Sequence, residues 1–428
     1  MLISIAILLF GLFFLLLLLE VPVALALGLP ALTAIVLFGL ADPILIAQQI
    51  FSAFDSYTLL AIPLFLLAGH LLGECALSRR LLDVVLITLG RVRGGVAVVT
   101  VVVSLLFAGI SGSGPADVAA LSVLLFPLLK ESGFSEARSG ALLAAGGGIG
   151  IIVPPSVALI LYGVVAETSI SQLFLAGVLP GITVSLALII AVLLLSRRDQ
   201  IPAHPPRLDW SVAGGSILAL LAPVIILGGI YLSIFTPTES AGAAVLYIFL
   251  VDWIFYRSLF QEGKLLNVLI RTGRGSAQIF FIIAGGSLFA WVLHQTHLTE
   301  DLSGAVLQIS QNRIVLLLLI NAFLLIAGCF IDAISIIYIF VPVFQPALQQ
   351  VGVDPVHFGI ILTVNMAIGQ ITPPVGVNLF MASTTTGLNV SQLSRAVIPF
   401  LIAEFTALMV ITFLPPLSLA LPGFMRAK

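Results

Sequence analysis

The chain has 428 residues, 60% of them hydrophobic and only 8% charged, with a formal net charge of −2 and a mean hydropathy of +1.25. Charged residues make up about a quarter of an ordinary soluble protein, so this composition excludes a soluble globular domain and leaves a polytopic helical membrane protein embedded in the lipid bilayer. No block of basic charge invites nucleic acid. No polar stretch is long enough for a separate soluble domain, and the cysteines, Cys75 and Cys329, sit in apolar runs as small hydrophobes without metal-ligand spacing.

In chain order, membrane helices are expected near 2–19, 23–40, 58–77, 139–163, 173–196, 211–233, 239–256, 276–294, 358–382 and 397–421. Residues 1–19 lack a positive leading segment and a small-residue cleavage site, so they read as a first helix rather than a removed signal peptide. The stretches 43–55, 80–92, 258–273 and 299–312 read as helices lying along the interface. Two apolar stretches, 95–128 and 314–347, do not fit as single spans. Gly109-Ile110-Ser111-Gly112-Ser113-Gly114-Pro115 interrupts the first, and Gly328 to Asp332 interrupts the second. Each arm is about 13–16 residues, short of the roughly 20 needed to cross. A re-entrant hairpin whose tip stops at mid-membrane is therefore favoured over two full crossings.

Charge placement agrees. With hairpins, Arg79, Arg80, Arg91, Arg93, Lys130, Arg138, Arg197, Arg198, Arg207, Arg257, Lys264, Arg271, Arg274 and Arg395 share one side, and only Arg313, Arg426 and Lys428 lie on the other. The positive-inside rule then places the N-terminus outside.

Two helices are broken in the middle of their apolar runs, at Ile149-Gly150-Ile151-Ile152-Val153-Pro154-Pro155 and at Ile368-Gly369-Gln370-Ile371-Thr372-Pro373-Pro374. Proline removes a backbone donor and clashes with the preceding turn. Open backbone at membrane depth is tolerated only where protein or a polar cavity surrounds it, and paired breaks in corresponding halves point to a transporter's binding site. A shift of 219 residues superposes the halves: Leu105 on Leu324, Gly109 on Gly328, Pro127 on Pro346, Gly133 on Gly352, Gly140 on Gly359, Gly150 on Gly369, the Pro-Pro pairs, and Pro180 on Pro399. Each half holds five crossings and one hairpin, and an odd number of crossings makes the repeat inverted. The expected fold is all-α. Residues 1–196 form the first repeat (scaffold helices within 1–77, hairpin 95–128, broken helix 139–163) and 197–209 a cytoplasmic linker. Residues 210–428 form the second repeat (scaffold helices 211–256, hairpin 314–347, broken helix 358–382).

Inverted symmetry brings the hairpin tips and helix breaks together near the midplane. They offer free carbonyls, the hydroxyls of Ser111, Ser113, Ser156 and Thr372, the amides of Asn365, Gln370 and Asn378, and the carboxylate of Asp332. This all-oxygen, low-charge inventory suits a hard monovalent cation such as Na⁺. Half-helix N-termini suit an anionic substrate, and Gly112, Gly114, Pro154, Ser156, Asn365, Pro373, Gly376 and Asn378 are the candidate substrate contacts. Gly146-Gly147-Gly148 reads equally as helix packing or as cavity lining. Asp117 reads equally as a functional group or as a local cap. Glu239, Asp252, Glu404, His70 and Glu74 are expected near helix ends in structural roles, with Thr236-Pro237-Thr238-Glu239 as a helix start.

Phe107 to Gly114, Gly150-Ile151-Ile152-Val153-Pro154-Pro155-Ser156, Phe235 to Glu239 and Ile371-Thr372-Pro373-Pro374-Val375-Gly376-Val377-Asn378-Leu379-Phe380 together resemble the large membrane subunit of TRAP (tripartite ATP-independent periplasmic) transporters, over nearly the whole chain. The resemblance implies a secondary transporter of the bacterial inner membrane rather than an enzyme. It would import organic acids such as C4-dicarboxylates or sialic-acid-like sugars, coupled to Na⁺, by an elevator motion of an ion-transporter-like fold. It implies a periplasmic substrate-binding protein and a small four-helix membrane subunit, expected as a separate chain, and no cofactor beyond the coupling ion. Carried onto this sequence, one Na⁺ would lie near Ser111, Ser113 and the Gly148–Val153 break. A second would lie near Gly328, Asp332 and the Ile368–Thr372 break. Two positions depart from the family pattern: Asp117 stands where a small or hydroxyl residue is usual, and Ala333-Ile334 where a Pro-Thr pair is common. A stand-alone, H⁺-coupled carboxylate carrier on a related fold is the alternative. An intramembrane serine protease using Ser111 or Ser113 lacks a histidine placed to activate it.

Overall fold

The computed structural model describes residues 2–92, 94–198, 213–232, 234–261 and 263–426. The expected linker lies outside them except for Arg197 and Arg198, as do Arg93, Arg207 and Lys428. The described chain is helical throughout. The first half runs α1 (Leu2–Leu18), α2 (Val23–Phe38), α3 (Pro43–Phe54), α4 (Ala61–Glu74), α5 (Ala76–Leu89), α6 (Gly95–Ser111), α7 (Gly114–Glu131), α8 (Glu136–Ile152), α9 (Val157–Val165) and α10 (Ile170–Arg198). The second runs α11 (Ala213–Tyr231), α12 (Pro237–Val251), α13 (Lys264–Gln295), α14 (Leu298–Ile309), α15 (Arg313–Gly328), α16 (Ala333–Gln350), α17 (Pro355–Gln370), α18 (Val377–Thr386), α19 (Val390–Ala396), α20 (Ile398–Phe413) and α21 (Pro416–Arg426).

A helix that is apolar on every side belongs in the centre. Accordingly α8 is buried from Ser139 to Ile152 and α17 from Val356 to Gly369, and the two pack on each other. Around this pair sit α6, α7, α9, α10, α15, α16, α18, α20 and α21, while α1–α5 and α11–α13 pack mainly among themselves. Large apolar side chains left exposed, among them Ile3, Ile7 and Leu18 on α1, Leu186, Ile190 and Leu194 on α10, and Ile402 on α20, form an outer face suited to lipid and not to water. Among the described residues, six helices are long and apolar enough to cross a membrane, or up to eight if each of two bent pairs counts as one span. The expected spans 2–19 and 23–40 come out shorter, the latter ended by Gly39 at φ +62°.

The 219-residue shift reappears in the element boundaries. It carries α7 onto α16 residue for residue, and the start of α8 onto that of α17. Gly133 and Gly352, its equivalent, both take positive φ, 90° and 78°, where the chain turns after α7 and α16.

Several expectations need correction. The α15 arm has 16 residues, within the expected 13–16, but α6 has 17 and α7 and α16 have 18 each, the last two because they run on past the apolar core into Lys130-Glu131 and Gln349-Gln350. Of the expected interfacial stretch 258–273, Ser258–Phe260 is a short 3-10 turn and residues 264–273 are instead the start of the unbroken 32-residue α13, which Gly273 and Gly275 do not end. The expected 397–421 helix is split at Pro415-Pro416. Glu404 is not near an end but in the middle of α20, 1% exposed, with both carboxyl oxygens unpartnered. Asp252 is buried as well. It accepts hydrogen bonds from Ser258 Oγ (2.5 Å) and Leu259 N (2.9 Å), and Ser258 Oγ in turn accepts from Ala76 N (2.9 Å), tying the loop to the start of α5. Thr236 and Glu239 form the expected reciprocal cap of α12, with Thr236 N donating to Glu239 Oε2 at 2.8 Å. Cys75 and Cys329 are unpaired thiols.

Candidate ion and substrate site

Each hairpin tip closes onto the helix break of its own half. In the first half, α6 stops at Gly112 (φ +65°) and α7 restarts after Ser113. The carbonyl of Gly112 accepts from Val157 N at 3.2 Å, across the Pro154-Pro155 break. Ser111 Oγ donates to Asp117 Oδ1, and Ser113 N donates to Ser111 Oγ at 3.3 Å. Within the break, Ser156 Oγ donates to Ile151 O at 2.6 Å and accepts from Leu159 N at 3.3 Å, capping α9. The hydroxyl of Ser156 is fully buried in that capping role.

In the second half, Cys329 O accepts from Val375 N at 3.3 Å across the Pro373-Pro374 break. Gly328 and Gly369 meet backbone to backbone: a methyl at Gly369 would stand 2.7 Å from Gly328 O. Asp332 caps α16, its Oδ2 accepting from Ile334 N (3.0 Å) and Ser335 N (3.3 Å) and its Oδ1 from Ser335 Oγ (2.5 Å). A carboxylate in this position also complements the helix dipole. Ile368 O accepts from Thr372 Oγ1 at 2.6 Å and from Ile371 N at 3.1 Å. Asn365 Nδ2 donates to Asn321 Oδ1 and Ile361 O, both at 2.8 Å, and its Oδ1 is unpartnered. The halves interlock through Asn378, whose Nδ2 donates to Ala144 O of α8 at 3.2 Å.

Both tips open on one cavity of about 760 Å³, within the size range of small-molecule sites. Of the tip and break residues offered as ligands from the sequence, Gly112, Ser113, Gly114, Gly328, Asp332, Gln370 and Gly376 line it. Ser111, Gly148, Val153, Pro154, Ser156, Asn365, Ile368, Thr372, Pro373 and Asn378 stand behind or beside that wall. Pro373 is exposed, whereas Pro154 is buried. The triple glycine resolves in part as packing: a methyl at Gly146 would lie 2.5 Å from Ser104 Oγ, and one at Gly147 would overlap Val118.

A family model described as the tripartite ATP-independent periplasmic transporter, DctM component, matches residues 10–417. The chain is 38% identical to the C4-dicarboxylate TRAP transporter large permease protein DctM of Pseudomonas aeruginosa, over 94% of both chains. It is 36% identical to the sialic acid TRAP transporter large permease protein SiaM of Vibrio cholerae, over 88% of both. The chain belongs to the DctM family of TRAP transporter large components. It is therefore a multi-pass membrane transport component and not an enzyme. It is also 38% identical to the isethionate TRAP transporter permease protein DctMQ of Oleidesulfovibrio alaskensis, over 97% of this chain and 66% of that one. Among solved structures, the YdaH transporter of Alcanivorax borkumensis shares the fold, with a TM-score of 0.59 at 16% identity over 85% of this chain and 86% of that one.

The opposite wall of the cavity in this DctM component comes from residues to which the sequence reading gave no part in the site. His70 on α4 and Arg271, Gly275 and Gln278 on α13 line it. Arg271 pairs with Glu74 at 2.9 Å, and His70 Nδ1 lies 2.9 Å from Thr272 Oγ1. His70 and Glu74 are thus part of the cavity wall or its lining pairs, and not merely residues of a helix end. Their helical spacing, residues i and i+4 on one face of α4, was the available signal. Arg271 was hidden because 258–273 reads as an interfacial segment.

Proposed function

We propose that this DctM component imports small organic-acid anions, of the C4-dicarboxylate or sialic-acid-like class, across the bacterial inner membrane, driven by a Na⁺ gradient. It would work with a periplasmic binding protein and a small membrane subunit. The observation that carries the reading is the convergence of both hairpin tips on one cavity, faced across the gap by α2, α4 and α13. Half-helix N-termini and Arg271, the one Arg or Lys among the described lining residues, favour an anion. The carbonyls, hydroxyls and Asp332 carboxylate at the tips favour a hard cation. The 219-residue correspondence of α7 with α16 supports an inverted repeat, and the one-sided excess of Arg and Lys favours a periplasmic N-terminus. The separate packing of α1–α5 with α11–α13 supports an elevator, in which the hairpin-bearing group moves against a scaffold.

The test is reconstitution of the permease with its small subunit and binding protein in proteoliposomes. Uptake should require an inward Na⁺ gradient and the binding protein, and proceed without ATP. Uptake that survives replacement of Na⁺ by K⁺ overturns the sodium reading. Transport by this chain alone, driven by a pH gradient, would establish the stand-alone H⁺-coupled carrier instead.

A further inference from the structure

The second half carries a pocket that the ion and substrate reading does not use. It lies where α15 and α17 begin and α20 ends, and Arg313, Asp354, His357 and Thr412 line it among apolar neighbours. It shares no lining residue with the central cavity. Its volume is about 130 Å³. A water molecule takes about 30 Å³ in the liquid, so an acetate-sized group fits. The polar side chains here are mostly donors. His357 is 3% exposed, and neither of its ring nitrogens makes a hydrogen bond. Whichever nitrogen carries the proton has it to give. Arg313, Asp354 and the Thr412 carbonyl lie around that ring. Thr412 is itself buried. Its Oγ1 accepts from Asn321 Nδ2 at 3.0 Å, and Asn321 Oδ1 accepts from Asn365 Nδ2 at 2.8 Å. This chain of hydrogen bonds runs one way, so its last proton, on Thr412 Oγ1, is left to donate. Asp354 is the one carboxylate among the described lining residues. Its Oδ1 is engaged as the cap of α17, accepting from Val356 N at 2.8 Å.

Buried donors without an acceptor are costly. A guanidinium beside them, with the positive ends of two helices, suits an oxyanion. We propose that this pocket binds a small carboxylate, held by the Arg313 guanidinium and by the protons of His357 and Thr412. The ligand joins the start of α15, the first arm of the second hairpin, to α17 and α20. Through Thr412, Asn321 and Asn365 it is linked to the second tip, since a methyl at Gly328 would lie 3.8 Å from Asn365 O. A carboxylate bound here therefore fastens the base of the hairpin without entering the central cavity. The inference rests on neither the sodium reading nor the substrate reading. By the charge pattern, Arg313 places the pocket on the outer side of the membrane.

The experiment is thermal unfolding of the full-length chain in nanodiscs, at fixed Na⁺ and constant ionic strength, with acetate titrated against acetamide, its neutral isostere. A ligand that binds only the folded state raises the melting temperature by mass action. Acetate should raise it saturably and acetamide should not. Arg313→Gln should weaken half-saturation by acetate by about tenfold or more, the scale of one hydrogen bond to a charged group. Arg313 is exposed, so this variant keeps its fold. Thr412→Val should act in the same direction. Should it fail to fold, His357→Phe keeps the ring and removes both nitrogens, and it should also weaken acetate. Arg271→Gln, which removes the cation of the central cavity, should leave the acetate response in place. Equal curves for acetate and acetamide overturn the proposal, since the pocket then holds water alone. So does an acetate response that survives Arg313→Gln and vanishes in Arg271→Gln, which would place the anion in the central cavity.

Discussion

Replacing Gly369 by alanine tests whether the second hairpin tip and the second helix break touch as closely as the structure places them. The new methyl would meet Gly328 O at 2.7 Å and Gly328 C and Cα at 2.8 Å. All three are backbone atoms, so no side chain can swing away and the tip itself must move. Overpacking of this kind costs about 1–3 kcal/mol. The substitution also gains helix propensity, about 0.5–1 kcal/mol for Gly to Ala inside a helix, and a control removes that term. Gly304 lies inside α14 with no atom within 4 Å of a methyl built on it, so Gly304→Ala should give the propensity gain alone. The difference between the two variants isolates the overlap, about 1–3 kcal/mol. The assay is thermal unfolding in nanodiscs with and without Na⁺. Gly369→Ala should melt below Gly304→Ala and should respond less to Na⁺, because the stabilisation a ligand gives grows with the logarithm of its affinity for the folded state. Equal melting temperatures and equal Na⁺ responses in the two variants would refute the close approach and the ion position built on it.

Asp332→Asn and Asp332→Ala separate the cap from the charge. Asparagine caps as well as aspartate, so Asp332→Asn should keep its stability without Na⁺, while Asp332→Ala should lose about 1 kcal/mol. Both should lose Na⁺-dependent uptake in proteoliposomes, and normal Na⁺ dependence in Asp332→Asn would show that the residue is a cap only. Glu404→Leu should raise stability by about 1–3 kcal/mol, since it replaces a buried carboxyl with no partner by hydrocarbon of similar volume. A lower melting temperature would show that Glu404 holds something the structure does not reveal.

How much of this was legible in the sequence differs from residue to residue, for physical reasons. The breaks were legible because Pro154-Pro155 and Pro373-Pro374 forbid helix whatever surrounds them. The cap at Thr236-Glu239 was legible because capping is local chemistry, whereas Asp332 reads from the sequence as an ion ligand and only the structure shows it capping α16. The continuity of α13 was not legible. Gly273, Arg274 and Gly275 look like a boundary, but Thr272 meets His70 and a methyl built on Gly275 would lie 3.7 Å from Leu66 Cδ1, so the helix runs on against α4. Gln370 was noted for its amide, yet its approach to Gly114, beside Asn378, depends on how the second half packs against α7 and α8. No spacing along the chain encodes that meeting of two halves. The position of Glu404 was misjudged for a simpler reason: Pro415-Pro416 ends α20 early.

The hairpins and the breaks explain each other. A Pro-Pro pair in the middle of a buried helix releases backbone groups that the helix no longer satisfies, and at membrane depth no bulk water is available to take them. In both halves a hairpin-tip carbonyl takes the amide just past the break: Gly112 O for Val157 N, and Cys329 O for Val375 N. A tip can reach that amide only if it ends where the break is, which is why a turn stands at Gly112-Ser113 and another at Cys329 to Asp332. The two bonds are long, 3.2 and 3.3 Å, at the weak end of the hydrogen-bond range. Groups held that loosely, beside carbonyls with lone pairs to spare, can exchange a backbone partner for a cation or an anionic substrate at small cost. The two halves differ in how far this can go. The first break is buried throughout, whereas Pro373, Pro374 and Val375 of the second are exposed. Of these three only Val375 lines the central cavity, so the same sequence pattern sits in different surroundings in the two halves.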